Sequence, residues 1–132
     1  MIKGVDHIGV AVNNLTEALA IYEKVLGLKP EKVTVLEPQK IKIAFIKVGD
    51  TKIELLEPLS KESPIAKFLE KRGEGIQHIA LKVDGIEDML KAMKNKGVTL
   101  IDETPRKGAE GGKIAFIHPQ SLKSVLIELC EK

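Results

Sequence analysis

The chain is poor in the residues that would tie it to several common tasks. It holds a single cysteine, Cys130, which excludes an internal disulfide and fits a reducing compartment. The run Val125-Leu126-Ile127-Glu128-Leu129-Cys130 reads as a strand, so the thiol is expected to pack as a small hydrophobe and not to serve as a nucleophile. Aromatic residues make up 3% of the chain, with no tryptophan, too few for base-stacking platforms. No apolar run nears the ~18 residues a membrane span needs, and no charged-then-apolar leader opens the sequence. An excess of one charge is also lacking. The 21 Lys and Arg are scattered among 19 Asp and Glu, for a net charge of +2, without the basic footprint of a nucleic-acid binder. These absences leave a cytoplasmic protein with no membrane and no nucleic-acid partner. The 132 residues suit one domain, long enough to bury a core without disulfides.

What is present is a repeat. Gly4-Val5-Asp6-His7-Ile8 aligns with Gly75-Ile76-Gln77-His78-Ile79 at a shift of 71 residues. Lys42-Ile43-Ala44-Phe45-Ile46 recurs unchanged as Lys113-Ile114-Ala115-Phe116-Ile117, and Ile53-Glu54-Leu55-Leu56-Glu57 returns as Ile127-Glu128-Leu129-Cys130-Glu131. The last pair is shifted by 74, as a three-residue loop insertion would produce. Asp6 to Val12 alternates as a strand. Asn14 with Glu17 resembles a helix-opening pair, Leu15 to Leu26 follow at helical spacing, and Gly27 stands where a C-terminal cap belongs. In the second half Gln77 to Val83 reads as a strand, Asp84 with Glu87 opens a helix, and Gly97 ends it. Further strands are expected over 29–36, 41–48 and 52–56, with counterparts over 99–103, 113–117 and 124–130. Ser63-Pro64 starts a short helix that Gly73 ends. The expected fold is α+β: two tandem βαβββ modules, residues 1–58 and 75–132, joined by a linker helix in 59–74 and curled around one metal site.

The repeat also sorts the polar residues. His7 pairs with His78 on the first strand of each half, and Glu54 with Glu128 on the last. Two copies packed about a pseudo-twofold would bring two histidines and two glutamates to a shared concave surface. Imidazole with carboxylate suits a divalent first-row ion, and two ligands from each half leave coordination positions open. A lone His on a strand is more often a satisfied core residue, and a lone Glu an edge residue. Recurrence at matched positions, in apolar runs where an unpaired carboxylate is costly, tips the balance to metal: His7, Glu54, His78 and Glu128. His118, in the corner His118-Pro119, has no counterpart and reads as structural or as lining a pocket mouth.

These segments resemble the vicinal-oxygen-chelate (glyoxalase-like) superfamily, and within it the methylmalonyl-CoA epimerases, over essentially the whole chain. The likeness is carried by Asp6-His7-Ile8-Gly9-Val10-Ala11, Glu54-Leu55-Leu56-Glu57-Pro58, Gly73-Glu74-Gly75-Ile76-Gln77-His78-Ile79-Ala80, Pro105-Arg106-Lys107-Gly108, Phe116-Ile117-His118-Pro119 and Val125-Leu126-Ile127-Glu128-Leu129. It implies interconversion of (R)- and (S)-methylmalonyl-CoA by α-proton abstraction through a metal-stabilised enolate. It also implies a homodimer and a CoA thioester substrate. The metal would be cobalt in the first place, with manganese, magnesium or zinc also acceptable. The family's metal positions map onto His7, Glu54, His78 and Glu128, with Glu128 as one acid/base and Glu54 as candidate for the other. Two departures stand out. Glu54 replaces a Gln found in some relatives, and Ile43 aligns where some carry a catalytic Glu, for which Glu37 is the alternative register. The loop from Arg106 to Lys113 either covers substrate or CoA phosphates, or is a solvated connection. Glyoxalase I chemistry and a non-catalytic binder on the same fold are the rival readings.

Overall fold

Period-two alternation and helical spacing interleave along the chain, and each apolar stripe has a matching face to cover. A computed structural model describes residues 1–132. In chain order the elements are β1 (Ile2–Ala11), α1 (Leu15–Leu26), β2 (Lys32–Leu36), β3 (Ile41–Val48), β4 (Thr51–Pro58) and α2 (Pro64–Arg72). There follow β5 (Gly75–Val83), α3 (Ile86–Asn95), β6 (Arg106–Lys107), β7 (Lys113–Ile117), a 3-10 turn over Pro119–Leu122, and β8 (Ile127–Glu131). No helix is long and apolar enough to cross a membrane. The residues fall into two compact units, His7–Gln77 and, secondly, Met1–Asp6 with His78–Lys132.

In the first unit the strands run in the order β2-β3-β4-β1, with β1 parallel to β4 and the other pairs antiparallel. One face of this sheet packs on α1 through Val12, Leu15, Ala18, Ala44, Ile46 and Leu55. The opposite face sends Ala11, Ile41, Ile43, Phe45 and Leu56 against Ile65, Phe68 and Leu69 of α2. As expected from the sequence, the Asn14 side chain accepts the Glu17 amide at 2.9 Å. Gly27 ends α1 in the left-handed region (φ 69°), a conformation that costs glycine nothing. β2 begins at Lys32 and not at Lys29, since Pro30 has no amide hydrogen to offer a ladder.

The second unit repeats the plan in the order β1-β5-β8-β7-β6, β5 lying parallel to β8. Val83, Ile86, Leu90, Ala115, Ile117 and Leu129 form its core between sheet and α3. Three expectations need correction here. The helix does not open on Asp84 and Glu87. Gly85 (φ 72°) is its N-cap, and the carboxylate of Glu131 reaches over from β8 to accept from Gly85 N at 2.8 Å and Ile86 N at 3.1 Å. The first unit uses the same device, Glu57 Oε1 accepting from Leu15 N at 2.6 Å. Residues 99–103 form no strand beyond a single bridge from Leu100 to Ile117, because the Asp102 side chain takes the Phe116 amide at 2.9 Å. Pairing with β7 resumes at Arg106. Finally, β8 starts at Ile127 and not at Ser124, since Lys123 and Ser124 take positive φ (56° and 73°) and turn the chain.

Glu131→Ala should therefore lower stability by about 1–2 kcal/mol, a helix cap's worth, through loss of two amide contacts at the start of α3. A urea unfolding curve with an unchanged midpoint would contradict this.

Candidate metal centre

Strand geometry accounts for the way each histidine meets a glutamate. In the first unit His7 stands opposite Lys52 and Gly9 opposite Glu54 across the parallel β1–β4 pair. His7 and Gly9 share a face, and with no side chain on Gly9 the Glu54 carboxylate lies open to the imidazole. His7 Nδ1 and Glu54 Oε2 are 3.2 Å apart. In the second unit Ala80, the counterpart of Gly9, stands opposite Glu128, and His78 Nε2 lies 3.3 Å from Glu128 Oε1. All four side chains are buried, at 5–6% exposure. Carboxylates so placed persist only with close partners, and each has one within its own unit. Such buried His and carboxylate groups are of the kind that hold a metal ion.

Each pair has an aromatic wall that reading the sequence for ligands alone passes over. Across the antiparallel ladders Phe45 faces Glu54 and Phe116 faces Glu128. The Phe116 ring meets the His78 ring edge-on at 5.7 Å between centroids. Each phenylalanine in turn carries a cation: Lys32 Nζ is 5.1 Å from the Phe45 centroid and Arg106 Cζ 5.3 Å from that of Phe116. The signal was the unchanged pentapeptide 42–46 and 113–117, whose fourth residue, the phenylalanine, stands opposite each glutamate.

The two halves are not equivalent. Ile43 is buried beneath α2 with Phe45 and Leu56, so this position offers no acid, and Glu37 lies in the exposed turn after β2. Where the first unit has Leu56, the second has Cys130, and its setting is more polar than that of a packed hydrophobe. The half-buried thiol lies 3.4 Å from Glu128 Oε2 and 3.8 Å from Asp6 Oδ2. Asp6 is itself buried, with Lys132 Nζ at 3.5 Å. His118 is exposed, and its Nδ1 accepts the Gln120 amide at 3.0 Å to cap the 3-10 turn, which favours the structural alternative.

The loop after β6 is a tight hairpin, with Gly108 N donating to Gly112 O at 2.8 Å. A Cβ on Gly112 would stand 2.5 Å from the Glu131 carbonyl oxygen, so only glycine fits there. Beside the hairpin and the start of α3 lies an open surface pocket of about 280 Å³ lined by Glu87, Pro105, Arg106, Lys107, Gly111, Gly112 and Lys113. Lys113 Nζ and Glu87 Oε2 are 2.7 Å apart at its rim. That hydrogen bond holds the Glu87 carboxyl below its usual range and raises Lys113 above its own.

Residues 6–116 match the Glyoxalase/Bleomycin resistance protein/Dioxygenase superfamily, and the chain belongs to it. Its relatives within that superfamily include methylmalonyl-CoA epimerases, so the chain is an enzyme of the isomerase class with a glyoxalase-like fold. The mitochondrial methylmalonyl-CoA epimerase of Dictyostelium discoideum is 38% identical over 128 residues, 96% of this chain and 77% of that protein. An uncharacterised Bacillus subtilis protein is 47% identical over 126 residues, 96% and 90% of the two chains. A variant of the Streptomyces coelicolor methylmalonyl-CoA epimerase, solved in complex with 2-nitronate-propionyl-CoA, matches with a TM-score of 0.94 at 31% identity. That match covers 100% of this chain and 96% of the other.

His118→Ala should lower stability by about 0.5–1 kcal/mol, as loss of a short turn's cap does, measured by urea titration. Loss of metal uptake in the same variant would refute the structural role.

Proposed function

We propose that this chain interconverts (R)- and (S)-methylmalonyl-CoA, with His7, Glu54, His78 and Glu128 together holding one divalent metal ion. The observation that carries the reading is the recurrence of a buried His–carboxylate pair at matched positions of both modules. Imidazole nitrogens and carboxylate oxygens suit cobalt first, and manganese, magnesium or zinc as well. Such an ion supplies Lewis-acid withdrawal of charge from the thioester oxygen.

The chain's own residues then have three tasks. The first is removal of the α-proton, which we assign to Glu128. The second is return of a proton to the other side of the flattened carbon, assigned to Glu54. Inversion needs an acid/base group for each face, and the repeat supplies two carboxylates while Ile43 supplies none. The third is to keep the reacting carbon in place and dry, for which the walls of Phe45 and Phe116 are suited. The CoA thioester named in the Streptomyces complex supports the substrate class. A cytoplasmic location accords with the single cysteine, which can form no internal disulfide, and the family likeness supports a homodimer.

The test is α-hydrogen exchange and epimerisation of methylmalonyl-CoA in D2O, with metal-stripped and with cobalt-reloaded protein. Cobalt-dependent deuterium uptake with loss of stereochemical purity is expected. No uptake in either state would overturn the epimerase reading and bring glyoxalase chemistry forward. Separately, Glu54→Gln should keep metal affinity, as a residue found in some relatives, while turnover falls by about a hundredfold. Near-normal turnover would remove Glu54 from proton transfer.

A further inference from the structure

We infer that Cys130 is a positioning residue for Glu128, its thiol fixing the turn of the carboxylate that faces His78. The inference rests on the proposed function, in which Glu128 takes the α-proton, and deepens it by naming what aims that carboxylate. The last torsion of a glutamate side chain is broad, so a single contact leaves the carboxylate free to rotate. Glu128 has a contact at each oxygen. Oε1 lies 3.3 Å from His78 Nε2, and Oε2 lies 3.4 Å from Cys130 Sγ. Period two puts Glu128 and Cys130 on one face of β8, with Phe116 and Ile114 opposite them on β7.

The part played by the sulfur follows from its surroundings. Two carboxylates of this unit approach it, Glu128 and, at 3.8 Å, Asp6 Oδ2. An ionised carboxylate only accepts, so the thiol is the donor, with one proton to give. Glu128 is the nearer acceptor, and Asp6 has the Lys132 ammonium 3.5 Å from its other oxygen. Packing does not call for sulfur at this register. The matching residue of the first unit, two positions after Glu54, is Leu56, a buried hydrocarbon with no donor. The two modules therefore differ in how their glutamates are held. A thiol joins an apolar body to one donor, which suits a residue on a strand as apolar as β8. Loss of a hydrogen bond that orients a ligating carboxylate costs about ten- to a hundredfold in metal affinity or activity.

The test sets Cys130→Val, which keeps the bulk and loses the donor, against Cys130→Ser, which keeps a donor and loses the apolar body. With cobalt-loaded enzyme and methylmalonyl-CoA, valine should lower kcat about tenfold with KM little changed, and serine should recover most of the loss. The reverse order, valine near wild type and serine impaired, is that of a residue that only fills space and would overturn the inference. Equal losses in the two variants would overturn it as well. Two readouts need no turnover. Cobalt titration of the metal-free protein should show affinity lowered about tenfold by valine and not by serine. The infrared S–H band of the metal-free protein has one source, since the chain has one cysteine. That band should move to higher frequency more in Glu128→Gln than in Asp6→Asn, because a neutral amide accepts more weakly than a carboxylate. A band that moves more with Asp6→Asn assigns the thiol to Asp6, and one that moves with neither assigns it to packing; either overturns the inference. If the band and the cobalt titration behave as expected while no thioester is turned over, the contact stands and only the epimerase reading falls.

Discussion

A carboxylate in the middle of an apolar strand is tolerable only when a partner is held within reach, and this chain meets that demand twice. Glu54 and Glu128 each stand opposite a residue with little or no side chain, Gly9 and Ala80, and each meets a histidine on the neighbouring parallel strand. The rest follows from keeping that meeting in place. The helix on the far face of each sheet seals the core, the antiparallel neighbour supplies a phenylalanine beside the glutamate, and a cation rests on that ring. Remove the small residue opposite and the histidine is pushed from its glutamate; remove the helix and the strand loses its fixed face.

Most of this was legible in the sequence because repetition makes weak signals count twice. A histidine on one strand says little, but His7 and His78 in matching contexts, with Glu54 and Glu128 in apolar runs, point to one chemistry. Asn14 and Gly27 were legible for a different reason, as cap residues act within a few positions of themselves. Beyond the strand starts displaced locally by Pro30 and by the turn at Lys123 and Ser124, the failures were at places where a distant residue decides a local outcome. Asp84 lost the start of α3 to Glu131, 47 residues away in sequence, and Asp102 removed residues 99–103 from the sheet by taking the Phe116 amide. Local pattern carries no information on such contacts. Cys130 was misjudged for a related reason: its strand neighbours are apolar, but the groups facing its sulfur are Glu128 and Asp6.

Duplication has left the two sheet faces with different surroundings. In the first unit α2 seals the end of the face that carries His7 and Glu54, burying Ile43 and Leu56. At the matching end of the second unit stand Ile114 and Cys130, both half-buried. One module closes its face with hydrocarbon, while the other leaves the matching residues half-buried.

The Glu57 and Glu131 caps bear on how each module acquires its structure. Each helix N-terminus is completed by a carboxylate that arrives 42 to 46 residues later in the chain, on the last strand of the same module. The helix is thus unfinished until that strand has docked, and the docking strand is the one that carries the glutamate of the His–Glu pair. Contacts of such long sequence separation make folding slow and leave little to be gained by partial structure. Each module is therefore poised to form as a single cooperative step, in which the helix, the sheet and the buried pair appear together or not at all.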